Sequence, residues 1–267
     1  MLFCIPLANK INIMSEYLIT AAITVFLFML MVFVLALLLK DNSIVDIFWG
    51  LGFIVLAFVS LYPFNSLDAK KIVVNLLILV WGLRLSMHIF KRNHGKGEDF
   101  RYANWRRTWK YFIPRSFLQV FMLQGFFMLT ISWPVLHINS NNSIKFGMLD
   151  IAGILIFLTG FLFEAIGDYQ MVVFKKDTAN KGKLITTGLW KYTRHPNYFG
   201  EALLWWGIGL MALPVVDGIY TILSPIVITI LLRYISGVPM LEKKYEGRAD
   251  WEAYKAITPV FVPFIKK

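Results

Sequence analysis

The chain has 267 residues, of which 58% are hydrophobic and 16% charged, with a mean hydropathy of +0.63 and a formal net charge of +11. A soluble globular domain carries about 25% charged residues, so this composition argues against a water-soluble enzyme and for a polytopic membrane protein. The apolar runs are too long and continuous for barrel strands, and helices are the other way to satisfy a backbone in lipid.

Seven runs predict membrane spans: 17–39, 44–62, 71–90, 112–135, 148–174, 199–213 and 219–238. They predict an all-α bundle of seven transmembrane helices in one membrane domain, 1–267. The lone cysteine, Cys4, leaves no internal disulfide or cysteine-based metal site, and the four histidines show no ligand spacing. The run from Tyr17 exceeds a signal-peptide core, so it is read as a retained first span. Asp46 sits near one end of the second run, and the third carries Trp81, Arg84 and His88. Pro134, Pro214 and Pro239 punctuate three of the later runs as helix breakers. The fifth run contains Glu164 and Asp168, four residues apart and followed by Lys175 and Lys176. Carboxylates inside apolar spans are costly and mark function or a structural pairing with a nearby base.

The connections are strongly asymmetric in charge. Segment 91–111 holds seven Lys or Arg, among them Arg101 beside Tyr102; segment 175–196 holds six, including Lys183; the tail from Pro239 holds six more. Segment 136–147 has only Lys145, and 214–218 has none. Basic loops stay cytoplasmic, which predicts an outside N-terminus and a cytoplasmic C-terminus, in a bacterial inner membrane or the endoplasmic reticulum. Asn141-Asn142-Ser143 is then a formal glycosylation acceptor on the outer side. The basic face has two explanations: positive-inside bias with attraction to anionic membrane lipid, or a site for a polyanionic cytosolic molecule. The bases hug the membrane without a nucleic-acid-binding module, so no nucleic-acid partner is expected. No obligate protein partner is evident either.

The densest polar stretch is Arg194-His195-Pro196-Asn197-Tyr198-Phe199-Gly200-Glu201, immediately before an apolar run. Pro196 suits the first turn of a helix, where a missing N–H costs nothing. Asn197 and Glu201, four apart, share one helix face, and an amide beside a carboxylate can read a carboxamide or a ribose. The helix start and the preceding bases favour an anion. Interfacial snorkelling of Arg194 and His195 is the plainer alternative.

The string Gly188-Leu-Trp-Lys-Tyr-Thr-Arg-His-Pro-Asn-Tyr-Phe-Gly-Glu201 resembles the C-terminal signature of the steroid 5-alpha reductase superfamily, and is similar to that of the sterol C14-reductases. Asn42-Ser-Ile-Val-Asp-Ile-Phe-Trp-Gly50 and Gly97-Glu-Asp-Phe-Arg-Tyr102 resemble its uncharacterised, mostly bacterial branch. The terminus, with Tyr254 and Pro259-Val-Phe-Val-Pro-Phe264, is similar too. This resemblance implies an NADPH-dependent membrane reductase. Asp168, Asn197 and Glu201 match the family's cofactor-contacting residues, and Arg194, His195 and Tyr198 match the sterol-reductase form of the signature. Lys175, Lys176 and Lys183 fall where the family places bases toward the phosphates. Arg101 and Tyr102 are further partners for adenine or the 2′-phosphate. The cofactor part is expected over 111–267, with substrate-side groups in 1–110.

The chemistry implied is hydride delivery to an activated C=C of a lipophilic, steroid- or isoprenoid-like substrate entering from the bilayer. The developing enolate needs a hydrogen-bond donor or acid. Steroid reductases use a glutamate from the second helix and a tyrosine from the third; here Asp46 stands in the second span, and the third has no tyrosine. Asp46 is the candidate carboxylate, or alternatively an ion-pair partner of Arg84, and Arg84 or His88 could polarise a carbonyl. The rival reading is an S-adenosylmethionine-dependent methyltransferase of the isoprenylcysteine or phospholipid type, which resembles this chain through Gly200. Those enzymes usually continue with an apolar residue, where Glu201 stands here. A transporter or lipid-binding scaffold is the non-enzymatic alternative, without repeated halves to support it.

Overall fold

The computed structural model describes residues 7–62, 67–142 and 144–265, with side chains from residue 16 onward. Cys4 and Ser143 of the glycosylation acceptor lie outside the described residues. Every described element is helical. The chain divides into two compact units, Met1–Phe146 and Gly147–Lys267.

The first unit contains α1 (Leu7–Leu39), α2 (Ile44–Val59), α3 (Ala69–Asn93), α4 (Phe100–Thr108), α5 (Phe112–Ile131) and α6 (Trp133–Ser140). Lys40, at φ 54°, ends α1. The Asp41 carboxylate then accepts from the Ser43 amide and hydroxyl at 2.8 and 2.6 Å, folding the turn into α2. Glycines let α2 and α3 touch: a Cβ on Gly82 would lie 2.6 Å from the Gly50 carbonyl oxygen. Around that contact Trp49, Phe53 and Trp81 stack edge to face. Lipid gives helices little reason to associate, so small residues and buried polar bonds hold such contacts. At the other end of α2 and α3, Asn75 donates to Asn139 at 2.9 Å and Asn139 donates to Ser60 at 2.7 Å. The Tyr17 hydroxyl donates to the Ser60 carbonyl.

The second unit contains α7 (Met148–Lys176), α8 (Pro196–Ala212), α9 (Gly218–Tyr245) and α10 (Ala249–Ile257), with short 3-10 turns at Thr178–Asn180 and Gly188–Lys191. The antiparallel α7–α8 pair dominates it. Gly153, Gly160 and Gly167 recur on one face of α7, opposite Gly207, Gly200 and Asn197 of α8. A Cβ on Gly160 would sit 2.6 Å from the Gly200 carbonyl oxygen, and one on Gly167 would sit 3.2 Å from the Asn197 nitrogen. The close approach sets the start of α8 against the last turns of α7.

Among the described residues, five helices are long and apolar enough to cross a membrane: Glu16–Leu39, Ala69–Asn93, Phe112–Ile131, Met148–Lys176 and Gly218–Tyr245. The expected seven therefore stand at five by length and composition. The runs 44–62 and 199–213 do form helices, but α2 has 16 residues and α8 has 17. Sixteen residues rise about 24 Å, short of a hydrocarbon core of about 30 Å.

Candidate functional site

Asp168 lies on the last third of α7 and Asn197 in the first turn of α8. Because the helices meet at Gly167, the Asn197 amide donates to the Asp168 carboxylate at 3.0 Å. Asp168 is buried, as are Glu164 one turn earlier on α7 and Glu201 one turn later on α8. Three carboxylates and an amide are thus set along one glycine-lined helix pair. Lys175 and Lys176 end α7, Lys183 follows in the loop, and all three are exposed.

Arg194 and His195 face a different partner. Arg194 donates from Nε and Nη2 to the two oxygens of Glu242 at 2.9 and 3.3 Å, and from Nη1 to the carbonyls of Thr258 and Lys255 at 2.7 and 3.3 Å. Its own amide donates to the Pro259 carbonyl at 2.9 Å. His195 Nε2 lies 2.8 Å from Glu242 Oε1. Burial pushes the His195 imidazole below its usual pKa, against the opposing pull of Glu242. A neutral ring beside an acceptor-only carboxylate must carry its proton on Nε2, which leaves Nδ1 as an acceptor. Tyr198 stacks on the ring at 5.8 Å and 9°. The same knot continues on both sides. Thr193 donates to the Phe261 carbonyl at 2.7 Å, and the Tyr254 hydroxyl donates to the Trp190 carbonyl.

In the first unit, Asp46 opens α2 and is held by α4. Arg101 Nη2 donates to Asp46 Oδ2 at 2.8 Å, and the Tyr102 hydroxyl donates to Oδ1 at 2.7 Å. Arg101 also bonds the Asp99 carboxylate at 2.9 Å, whose Oδ1 caps α4 by accepting the Arg101 amide. Gln124 Nε2 approaches the Tyr102 oxygen at 3.4 Å. Burial, then the Asp46 charge, raises the Tyr102 phenol well above its ordinary pKa, so it stays protonated at neutral pH. Glu98 accepts two bonds from Arg106, at 2.9 and 2.8 Å, and one from the Asn42 amide at 2.8 Å. The two sequence motifs at 42–50 and 97–102 are therefore one polar cluster. Arg84 and His88 lie one turn apart on α3, both half-buried.

Sequence reasoning grouped Arg101 and Tyr102 with the cofactor residues, whereas the fold places them on Asp46. It missed Glu242 and Glu98 altogether. Glu242 carried a usable signal, as the only acid between 218 and 245, and a buried Arg-His pair needs a carboxylate. Glu98 lies inside the 97–102 string, but its partner was not legible, since its bond to Asn42 spans 56 positions.

Residues 32–258 match a family described as a protein of unknown function, DUF1295. The chain belongs to the DUF1295 family. This DUF1295 chain is 24% identical over 183 residues to an uncharacterized protein of Schizosaccharomyces pombe, covering 60% of the chain and 50% of that protein. It is 43% identical over 58 residues to a probable O-methyltransferase of Ustilaginoidea virens, covering 22% of the chain and 20% of that protein. The chain thus spans half or less of the length of these curated relatives. No solved structure matches it.

Proposed function

We propose that this DUF1295 protein is an integral-membrane reductase that uses NADPH to reduce an activated C=C in a lipophilic, steroid- or isoprenoid-like substrate. The observation that carries the reading is the Asp168–Asn197 bond at the α7–α8 contact, with buried Glu201 one turn further on. The donor set fits a dinucleotide. Carboxylates accept ribose hydroxyls, the Asn197 carbonyl oxygen accepts a carboxamide N–H, and Lys175, Lys176 and Lys183 offer point charges to phosphates. Bound there, a reduced nicotinamide would supply hydride.

Arg194 and His195 act in this reading as positioning residues. Through Glu242 and the carbonyls of Lys255 and Thr258, they tie the start of α8 to the tail. Asp46, held by Arg101 and Tyr102, is the carboxylate assigned to the substrate-side chemistry. Arg84 and His88 are the groups assigned to polarising a substrate carbonyl. The reading also takes α2 and α8 as short crossings that complete seven passes, with the N-terminus outside and the C-terminus cytoplasmic.

A second reading, an S-adenosylmethionine-dependent methyltransferase, is favoured by the 43% identity over 58 residues to a probable O-methyltransferase. Titration calorimetry on the purified protein separates the two. NADPH should bind more tightly than S-adenosylmethionine, and the reverse order overturns the reductase reading. Asn197→Ala and Glu201→Gln should each weaken NADPH binding by about tenfold or more, the worth of one lost hydrogen bond to a ligand. Unchanged affinity removes their assigned role.

A further inference from the structure

The elbow between α4 and α5 is not used by the reaction assigned above. From Lys91 to Arg115 the chain carries eight Lys or Arg and two carboxylates, Glu98 and Asp99. Those acids are occupied by Arg106 and Arg101. Arg107, Lys110 and Arg115 are exposed. Trp109 stacks on Trp105 at 5.0 Å and 11°, and the Arg115 guanidinium lies 4.5 Å from its ring centroid. Arg106 lies 4.4 Å from the Phe112 ring centroid. The turn is held at Tyr111, at φ 57°, a conformation a bulky side chain adopts only where its surroundings impose it. Tyr111, Ile113 and Phe100 stand out at 72%, 56% and 71% exposure.

Position decides what this surface meets. The elbow immediately precedes Phe112–Ile131, a helix long and apolar enough to span a bilayer, so it sits at headgroup depth. Tryptophan and tyrosine with interleaved arginine and lysine are the composition of a membrane interface that carries anionic lipid. We propose that residues 105–115 form a docking site for the headgroup of an anionic phospholipid. Arg107, Lys110 and Arg115 meet the phosphodiester, and Tyr111 and Ile113 rest against the glycerol and upper acyl region. The Trp105–Trp109 stack holds the elbow rigid. The site is independent of the cofactor reading and stands whichever reaction the protein performs.

The test uses the full chain in nanodiscs of phosphatidylcholine with a minor fraction of phosphatidylglycerol. Lipid retained through detergent extraction is counted by native mass spectrometry. Wild type should keep phosphatidylglycerol over phosphatidylcholine. Arg107→Gln with Lys110→Gln should cut that preference by about tenfold or more, since each base near an anionic surface changes binding several-fold. Lys91→Gln with Lys96→Gln removes equal charge nearby and should leave most of the preference intact. All four positions are exposed, and unchanged amide exchange in the helices verifies the fold of each variant. Equal retention of the two lipids by wild type overturns the site. So does equal loss in both double variants, which would mean diffuse attraction. Displacement of the lipid by millimolar inorganic phosphate would identify a free-phosphate site instead, and would also overturn it.

Discussion

Glu242→Gln tests the knot that anchors the Arg-His pair. The carboxylate accepts three bonds, from Arg194 Nε and Nη2 and from His195 Nε2. A glutamine has one acceptor oxygen, so at most two bonds survive, those from Arg194 Nε and His195 Nε2 that meet at Oε1, and the bond from Arg194 Nη2 is lost. Its amide N–H groups face donors, and the Arg194 charge loses its counter-ion. Removing one partner of a buried pair costs about 3–5 kcal/mol. The lower end applies here, because the Glu242 side chain is 18% exposed and Arg194 keeps its carbonyl partners at Thr258 and Lys255. A loss of about 3 kcal/mol raises the open population of the tail roughly a hundredfold. Hydrogen exchange of the Arg194 amide, bonded to Pro259, and of the Thr258 amide, bonded to Tyr254, reads that population directly. Both should lose protection by about that factor, while the α2–α3 amides stay unchanged. Arg248→Ala, which breaks an exposed pair with Asp250, should leave tail protection as it was. Protection in Glu242→Gln within about threefold of wild type would refute the energetic reasoning.

Other consequences are as specific. Gly160→Ala forces a methyl against the Gly200 carbonyl and should cost about 1–3 kcal/mol or more in unfolding titrations, whereas Gly147→Ala, with open space around it, should stay close to wild type. Asp46→Asn should leave NADPH affinity intact and abolish turnover, and normal turnover would remove Asp46 from the proposed chemistry. Burial alone would raise the Glu98 carboxyl, but the Arg106 and Asn42 bonds outweigh it and hold it below its ordinary value of 4.5. The folded state therefore binds this proton more weakly than the unfolded state, so the stabilisation is complete above about pH 4.5 and fades as pH falls through the depressed value. Exchange protection of α4 should fall over that acid range, and Glu98→Gln should flatten the dependence; an unchanged pH profile in that variant would rule Glu98 out as its source.

Helical class and membrane character were legible because both are written in local composition. Runs of apolar residues about 20 long leave a backbone no alternative to a helix in lipid, whatever their neighbours do. The asymmetric bases and the Pro196 helix start were legible for the same reason. The number of long spans was not. Ser43 and Ser60 flank α2 and leave it 16 residues, and the ends of short apolar helices depend on turns that hydropathy does not register.

The polar residues that meet at the α7–α8 contact were also readable, since Glu164 and Asp168, and Asn197 and Glu201, sit at helical spacing in the sequence. Partner choice was not. Arg194 and Glu242 are 48 positions apart, and Asp46 and Tyr102 are 56 apart. Nothing in either local pattern specifies which carboxylate a given base will meet. The sequence by itself determined where helices form, which connections bear the basic charge and where polar residues interrupt apolar runs, because those follow from spacing and solvation along the chain. Only the tertiary structure decided that the signature's Arg-His pair clasps the tail while its Asn197 meets Asp168. That division is set by glycines that let two backbones touch, and by the requirement that every buried charge find a partner.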